Sequence, residues 1–105
     1  MRDMTPREYS ALASTGDAPF LLDVREIWEV AIAALPGAVH IPMGEVPDRL
    51  SEIPQDRDVV VMCKAGGRSM NVARFWESRG YDRVINLSGG ILAWSATVDP
   101  AIATY

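Results

Sequence analysis

The chain has 105 residues, 49% of them hydrophobic and 23% charged, the balance of one α/β-sized domain (1–105) with enough apolar content to bury a core. A formal net charge of -4 argues against a general binder of nucleic acid, whose phosphate backbone is held by clustered Lys and Arg. One cysteine, Cys63, and one histidine, His40, exclude an intramolecular disulfide and a Cys/His zinc cluster, so no metal is expected.

In chain order, Thr5-Pro6-Arg7-Glu8 predicts a helix start: Thr5 caps, Pro6 suits the first turn and Glu8 completes a capping box. Tyr9, Leu12 and Ala13 then share a face of a short helix that ends near Gly16. Phe20-Leu21-Leu22-Asp23-Val24 has the pattern of a strand buried on both faces. Residues 26–34 predict a helix, and Pro36-Gly37 turns the chain. A second strand is expected over 38–41, a short helix over 45–50 and a central strand over 59–62. Residues 69–79 form an amphipathic helix pattern, with Val72, Ala73 and Trp76 on one side and Gly80 as its stop. A strand over 84–87, a turn at Gly89-Gly90, a short helix over 91–96 and an irregular tail from 98 complete the chain.

Strands alternating with helices predict an α/β fold with a mainly parallel central sheet flanked by helices on both faces. Ligands in such sheets sit at the C-terminal ends of strands, where Cys63 and Asp23 both fall. The longest uncharged stretch, 30–44, is interrupted by Pro36, Gly37, His40 and Pro42, and no membrane-spanning segment is expected. The first eight residues lack the apolar stretch of a secretory signal, which favours a cytoplasmic protein.

Cys63 opens the run Cys63-Lys64-Ala65-Gly66-Gly67-Arg68-Ser69 directly after Val59-Val60-Val61-Met62. A thiol at a strand end, followed by a glycine loop and a helix, is placed to be a reactive thiolate. Backbone N–H groups can converge on the sulfur, the helix N-terminus adds positive potential, and Lys64 and Arg68 supply formal charge. Such settings lower a thiol pKa from about 8.5 to roughly 3.5–7.5. The competing reading is an inert core thiol, since free cysteine is among the most buried residue types, but the Gly-Gly-Arg-Ser sequel favours reactivity. Trp28, Trp76 and Trp94 are expected in core or rim packing, as are Met43, Met62 and Met70, with Met70 and Trp94 the candidates for an apolar pocket edge. His40 has no second ligand in sight and is read as structural.

The cysteine loop is joined by Asp23-Val24-Arg25-Glu26 with Trp28-Glu29, by Leu35-Pro36-Gly37-Ala38-Val39-His40-Ile41-Pro42, and by Leu87-Ser88-Gly89-Gly90-Ile91-Leu92-Ala93-Trp94. In this order the four segments resemble the rhodanese-like domain family, specifically the single-domain thiosulfate sulfurtransferases. One departure is visible: Ala33-Ala34 stand where members often carry Gly-His.

The resemblance implies a sulfur relay without metal or organic cofactor. Cys63 is the catalytic nucleophile and forms a persulfide; Lys64, Ala65, Gly66, Gly67, Arg68 and Ser69 bind the substrate; Asp23 and Arg25 support the loop. The implied partners are a small anionic sulfur donor, such as thiosulfate or a related persulfide, and a thiol, cyanide or protein sulfur acceptor. Two alternatives stand beside it. One is a rhodanese module acting as a sulfur carrier or through protein binding without turnover. The other is a small Cys-dependent phosphatase or arsenate reductase, which the Cys-x4-Arg spacing of Cys63 and Arg68 disfavours, because those enzymes use a longer Cys-x5-Arg cradle.

Overall fold

Three strands, buried throughout except at Phe20, form the centre of the molecule: β2 (Phe20–Asp23), β4 (Val59–Met62) and β5 (Val84–Leu87). Two shorter strands, β1 (Arg2–Met4) and β3 (Val39–His40), close the edges, giving one parallel sheet in the order β1-β5-β4-β2-β3. This is a computed structural model, and it describes residues 2–105. The register sets Asp23 opposite Met62, so β2 and β4 end side by side and deliver Asp23 and Cys63 to the same sheet edge.

Four helices connect the strands: α1 (Pro6–Ser14), α2 (Ile27–Ile32), α3 (Gly67–Ser78) and α4 (Gly90–Thr97). The capping box at the start of α1 forms as expected, with the Thr5 hydroxyl accepting from the Glu8 N–H at 3.1 Å. Alternation along the strands divides the interior. Leu22, Val59, Val61 and Val84 face Val72, Ala73 and Trp76 of α3; Leu21, Val60, Met62 and Ile85 face Tyr9 of α1 and Ile91 and Trp94 of α4. Trp76 is 1% exposed, and truncating it to Ala would cost about 3–5 kcal/mol.

Several expectations change in the structure. Strand β1 was not anticipated: Arg-Asp-Met has no alternation of its own and is a strand because Arg2, Asp3 and Met4 pair with Ile85, Asn86 and Leu87. The helix expected over 45–50 is two 3₁₀ stretches, Met43–Asp48 and Leu50–Glu52, because Pro47 has no N–H to continue an α-helix. Helix α2 stops at Ile32, and the extended Ala33 turns its carbonyl to the Arg25 guanidinium at 2.7 Å. Trp28 is a rim residue, 59% exposed, while Trp94 packs on Tyr9 with ring centroids 5.6 Å apart and so lies in the core rather than at a pocket edge by the cysteine. Met43 is likewise exposed.

Candidate active site

The chain leaves β4 at Met62, and Cys63 begins a tight curl that ends in α3. Gly66 makes the curl possible: its φ of +103° lies in the left-handed region that side chains disfavour. Its N–H then points back to Cys63 Sγ at 3.0 Å, and the Ser69 hydroxyl lies 3.3 Å from the same sulfur. The N–H groups of Ala65 and Ser69 also face the sulfur. Burial opposes ionisation of this thiol most strongly, yet the Ser69 hydroxyl and the N–H groups of Ser69, Gly66 and Ala65 outweigh it and hold the Cys63 pKa below its ordinary value.

The loop's carbonyls face the other way. Ile91 and Leu92, in the first turn of α4, donate N–H bonds to the carbonyls of Cys63 and Lys64 at 3.0 and 3.1 Å. Helix α4 thereby fixes the peptide planes and leaves the loop amides for the sulfur. Gly90 is required for this approach: a Cβ there would collide with the Cys63 and Lys64 carbonyl oxygens, and its φ is +59°. The single proton of the Ser69 hydroxyl lies between two acceptors, Asn86 Oδ1 at 2.5 Å and Cys63 Sγ at 3.3 Å, and Asn86 Nδ2 reaches Asp3 at 3.3 Å.

Arg68 points to a different partner. Its two terminal nitrogens contact the carboxylate of Glu29 at 2.5 and 2.8 Å, and Glu29 is 2% exposed. The guanidinium, against the opposing effect of burial, holds the Glu29 pKa down at about 2, with help from the Tyr105 hydroxyl. That hydroxyl donates to Glu29 Oε2 at 2.7 Å and accepts from Arg25 Nη1 at 3.0 Å. Arg25, with no exposed surface, forks onto Asp23 through Nε and Nη2 at 2.9 and 2.7 Å. Asp23 and Arg25 are thus a buried pair rather than a surface one. Arg25, Tyr105 and Glu29 link them to Arg68 of the cysteine loop. His40 is held by its Nε2 against the Arg25 carbonyl at 2.6 Å.

The structure brings Cys63, Gly66 and Ser69 together, with the Ala65 N–H turned toward the sulfur. Gly67 opens α3 and is exposed. Lys64 and Arg68 leave the sulfur's immediate shell: Lys64 Nζ lies over the Tyr105 ring, 4.7 Å from its centroid, and the charge of Arg68 is matched by Glu29. Four residues around the loop had no site role in the sequence reading: Glu29 and Gly90, which appear there only within the resembling segments, and Asn86 and Tyr105. Asn86 had a signal, a polar side chain inside the apolar run Val-Ile-Asn-Leu. Tyr105 had none.

Residues 5–97 match the model of the rhodanese-like domain. The chain belongs to the rhodanese-like domain family. Among relatives of this rhodanese-like chain, a protein named sulfurtransferase from Allochromatium vinosum is 45% identical over 92 residues, covering 88% of this chain and 85% of that one. A Bacillus subtilis protein provisionally named the sulfur carrier YrkF is 39% identical over 79 residues, covering 75% of this chain and 43% of that one. The crystal structure of a rhodanese-like domain protein from Staphylococcus aureus superposes with a TM-score of 0.86 at 28% identity, covering 100% of this chain and 99% of that one. This rhodanese-like domain carries its one cysteine at the strand end where the α/β fold puts ligands.

Proposed function

We propose that the protein is a sulfurtransferase that moves sulfane sulfur from thiosulfate or a related persulfide to a thiophilic acceptor through a persulfide on Cys63. The observation that carries this reading is the convergence of the Gly66, Ala65 and Ser69 donors on Cys63 Sγ, a cradle for one anionic sulfur. In the first step the Cys63 thiolate attacks the outer sulfur of thiosulfate. A new sulfur–sulfur bond forms, the old one breaks, and sulfite departs with the electron pair. In the second step an acceptor attacks the outer persulfide sulfur; with cyanide it leaves as thiocyanate and Cys63 returns to thiolate.

The loop amides turned toward the sulfur can stabilise the thiolate and the persulfide alike, so neither state has to rebuild the site. Lys64 draws the anionic donor toward the loop, while Arg68, paired with Glu29, joins Asp23 and Arg25 in holding the surrounding network in place. No metal or organic cofactor takes part in either step. The cytoplasm, where free thiols stay reduced, suits this chemistry. Phosphate chemistry is a poorer fit, since only four residues separate Cys63 from Arg68 and both terminal nitrogens of Arg68 are engaged by Glu29.

The likeness to YrkF favours a second reading, a sulfur carrier that accepts the persulfide and hands it only to a protein. Intact mass spectrometry of the reduced protein after thiosulfate, and again after cyanide, separates the two. Gain of one sulfur, lost with release of thiocyanate, is expected for the sulfurtransferase. A stable adduct that cyanide leaves in place supports the carrier. Cys63→Ser is expected to abolish the gain with the fold intact, and sulfur transfer persisting in that variant would sink both readings.

A further inference from the structure

Tyr105 lies outside the 5–97 segment matched to the family, yet its ring faces Lys64 of the cysteine loop and its hydroxyl reaches Glu29, the partner of Arg68. Its ring faces Lys64 Nζ at 4.7 Å, and Trp28 meets that ring edge-on with centroids 6.0 Å apart. Its hydroxyl is fixed at both lone-pair and hydrogen ends, by Arg25 and by Glu29. Upstream, Ser95 Oγ donates to the Ile102 carbonyl at 2.8 Å, and Ile102 and Tyr105 pack against the apolar core. The tail is therefore anchored at two points, and its aromatic face is held still.

The two loop cations differ in what they can offer an incoming anion. Arg68 is matched by the Glu29 carboxylate. Among the described residues Lys64 has no carboxylate partner; what holds it is the π face of Tyr105. A lysine on a four-carbon stem loses its hold on one position once such a contact is removed. We propose that Tyr105 is a positioning residue that makes the site favour anions over neutral reagents, its ring holding the unmatched charge of Lys64 on the Cys63 loop. The proposal deepens the sulfurtransferase reading, since thiosulfate is an anion, but its test does not need sulfur transfer.

The experiment compares alkylation of Cys63 by iodoacetate, an anion, with alkylation by neutral iodoacetamide, at matched pH. The iodoacetate-to-iodoacetamide rate ratio reads attraction of anions and cancels changes in the thiol itself. Tyr105→Leu is expected to lower the ratio about two- to fivefold, the worth of an exposed cation–π contact. Tyr105→Phe, which keeps the ring, is expected to retain the ratio. Lys64→Met is expected to lower it by at least as much, and adding Tyr105→Leu to Lys64→Met to change nothing further. Tyr105→Met replaces the Leu variant if that one fails to fold. A wild-type ratio in Tyr105→Leu, or an equal drop in Tyr105→Phe, overturns the role of the ring. Failure of wild-type protein to take sulfur from thiosulfate, with the ratio behaving as stated, overturns the donor assignment and leaves the positioning role standing.

Discussion

Arg68 of the cysteine loop and Glu29 of α2 form a bidentate ion pair, with nitrogen–oxygen distances of 2.5 and 2.8 Å, across 39 residues of sequence. Glu29 is buried while the Arg68 side chain keeps 32% of its surface exposed, so the pair is an internal carboxylate held by a half-buried cation. Arg68→Met removes the cation and leaves that carboxylate stranded. The expected loss is about 2–4 kcal/mol, between the worth of surface pairs and the cost of breaking fully buried ones. Urea unfolding measures it, and a change under about 0.5 kcal/mol, the level of ordinary surface substitutions, refutes the ion pair's structural role.

The same carboxylate makes stability depend on pH. Glu29 is held at about 2, below its ordinary value of 4.5, chiefly by Arg68. A depressed acid stabilises the folded state fully above its unfolded pKa and loses that contribution as pH falls through the folded one. Stability is therefore expected to decline between about pH 5 and pH 2, with Glu29 contributing on the order of 3 kcal/mol of the loss. Glu29→Gln should flatten this part of the profile; urea midpoints at pH 7, 4 and 3 for both proteins provide the check.

Cys63 is expected to react as a thiolate below the ordinary thiol range, because the hydrogen bonds from Ser69, Gly66 and Ala65 outweigh its burial. Ser69→Ala deletes the hydroxyl beside the sulfur and should move the midpoint of the iodoacetamide rate profile upward, since a hydrogen bond to the thiolate favours the charged form. A midpoint unchanged by Ser69→Ala would show that the hydroxyl stays committed to Asn86.

Gly90→Ala tests how α4 docks on the loop. The new methyl would meet the carbonyl oxygens of Cys63 and Lys64, and the residue's φ of +59° adds strain for any side chain. A loss of about 2–4 kcal/mol and a slower Cys63 reaction are expected, since overpacking and backbone strain add. Thermal unfolding and alkylation rates measure both. Full stability would mean that the helix N-terminus does not set the loop geometry.

Much of the architecture was legible in the order of residues, because its causes are local. Apolar runs punctuated by glycine and proline marked β2, β4 and β5, helical spacing of Val72, Ala73 and Trp76 marked α3, and their alternation implied a parallel sheet with Cys63 at a strand end. The inward curl of the loop followed from glycine's freedom at positive φ, which Gly66 uses. Strand β1 was hidden because its three residues are a strand only when paired with β5. The partners of the loop were hidden for the same reason at longer range: Ser69 meets Asn86 across 17 residues, Arg68 meets Glu29 across 39, and Glu29 meets Tyr105 across 76. The sequence by itself thus determined the three central strands, the main helices and the place of Cys63 at a strand end, since propensity and periodicity act within a few residues. Only the tertiary structure decided which loop cation is neutralised, because burial and hydrogen bonding matched Arg68 to Glu29 and left Lys64 resting on an aromatic ring.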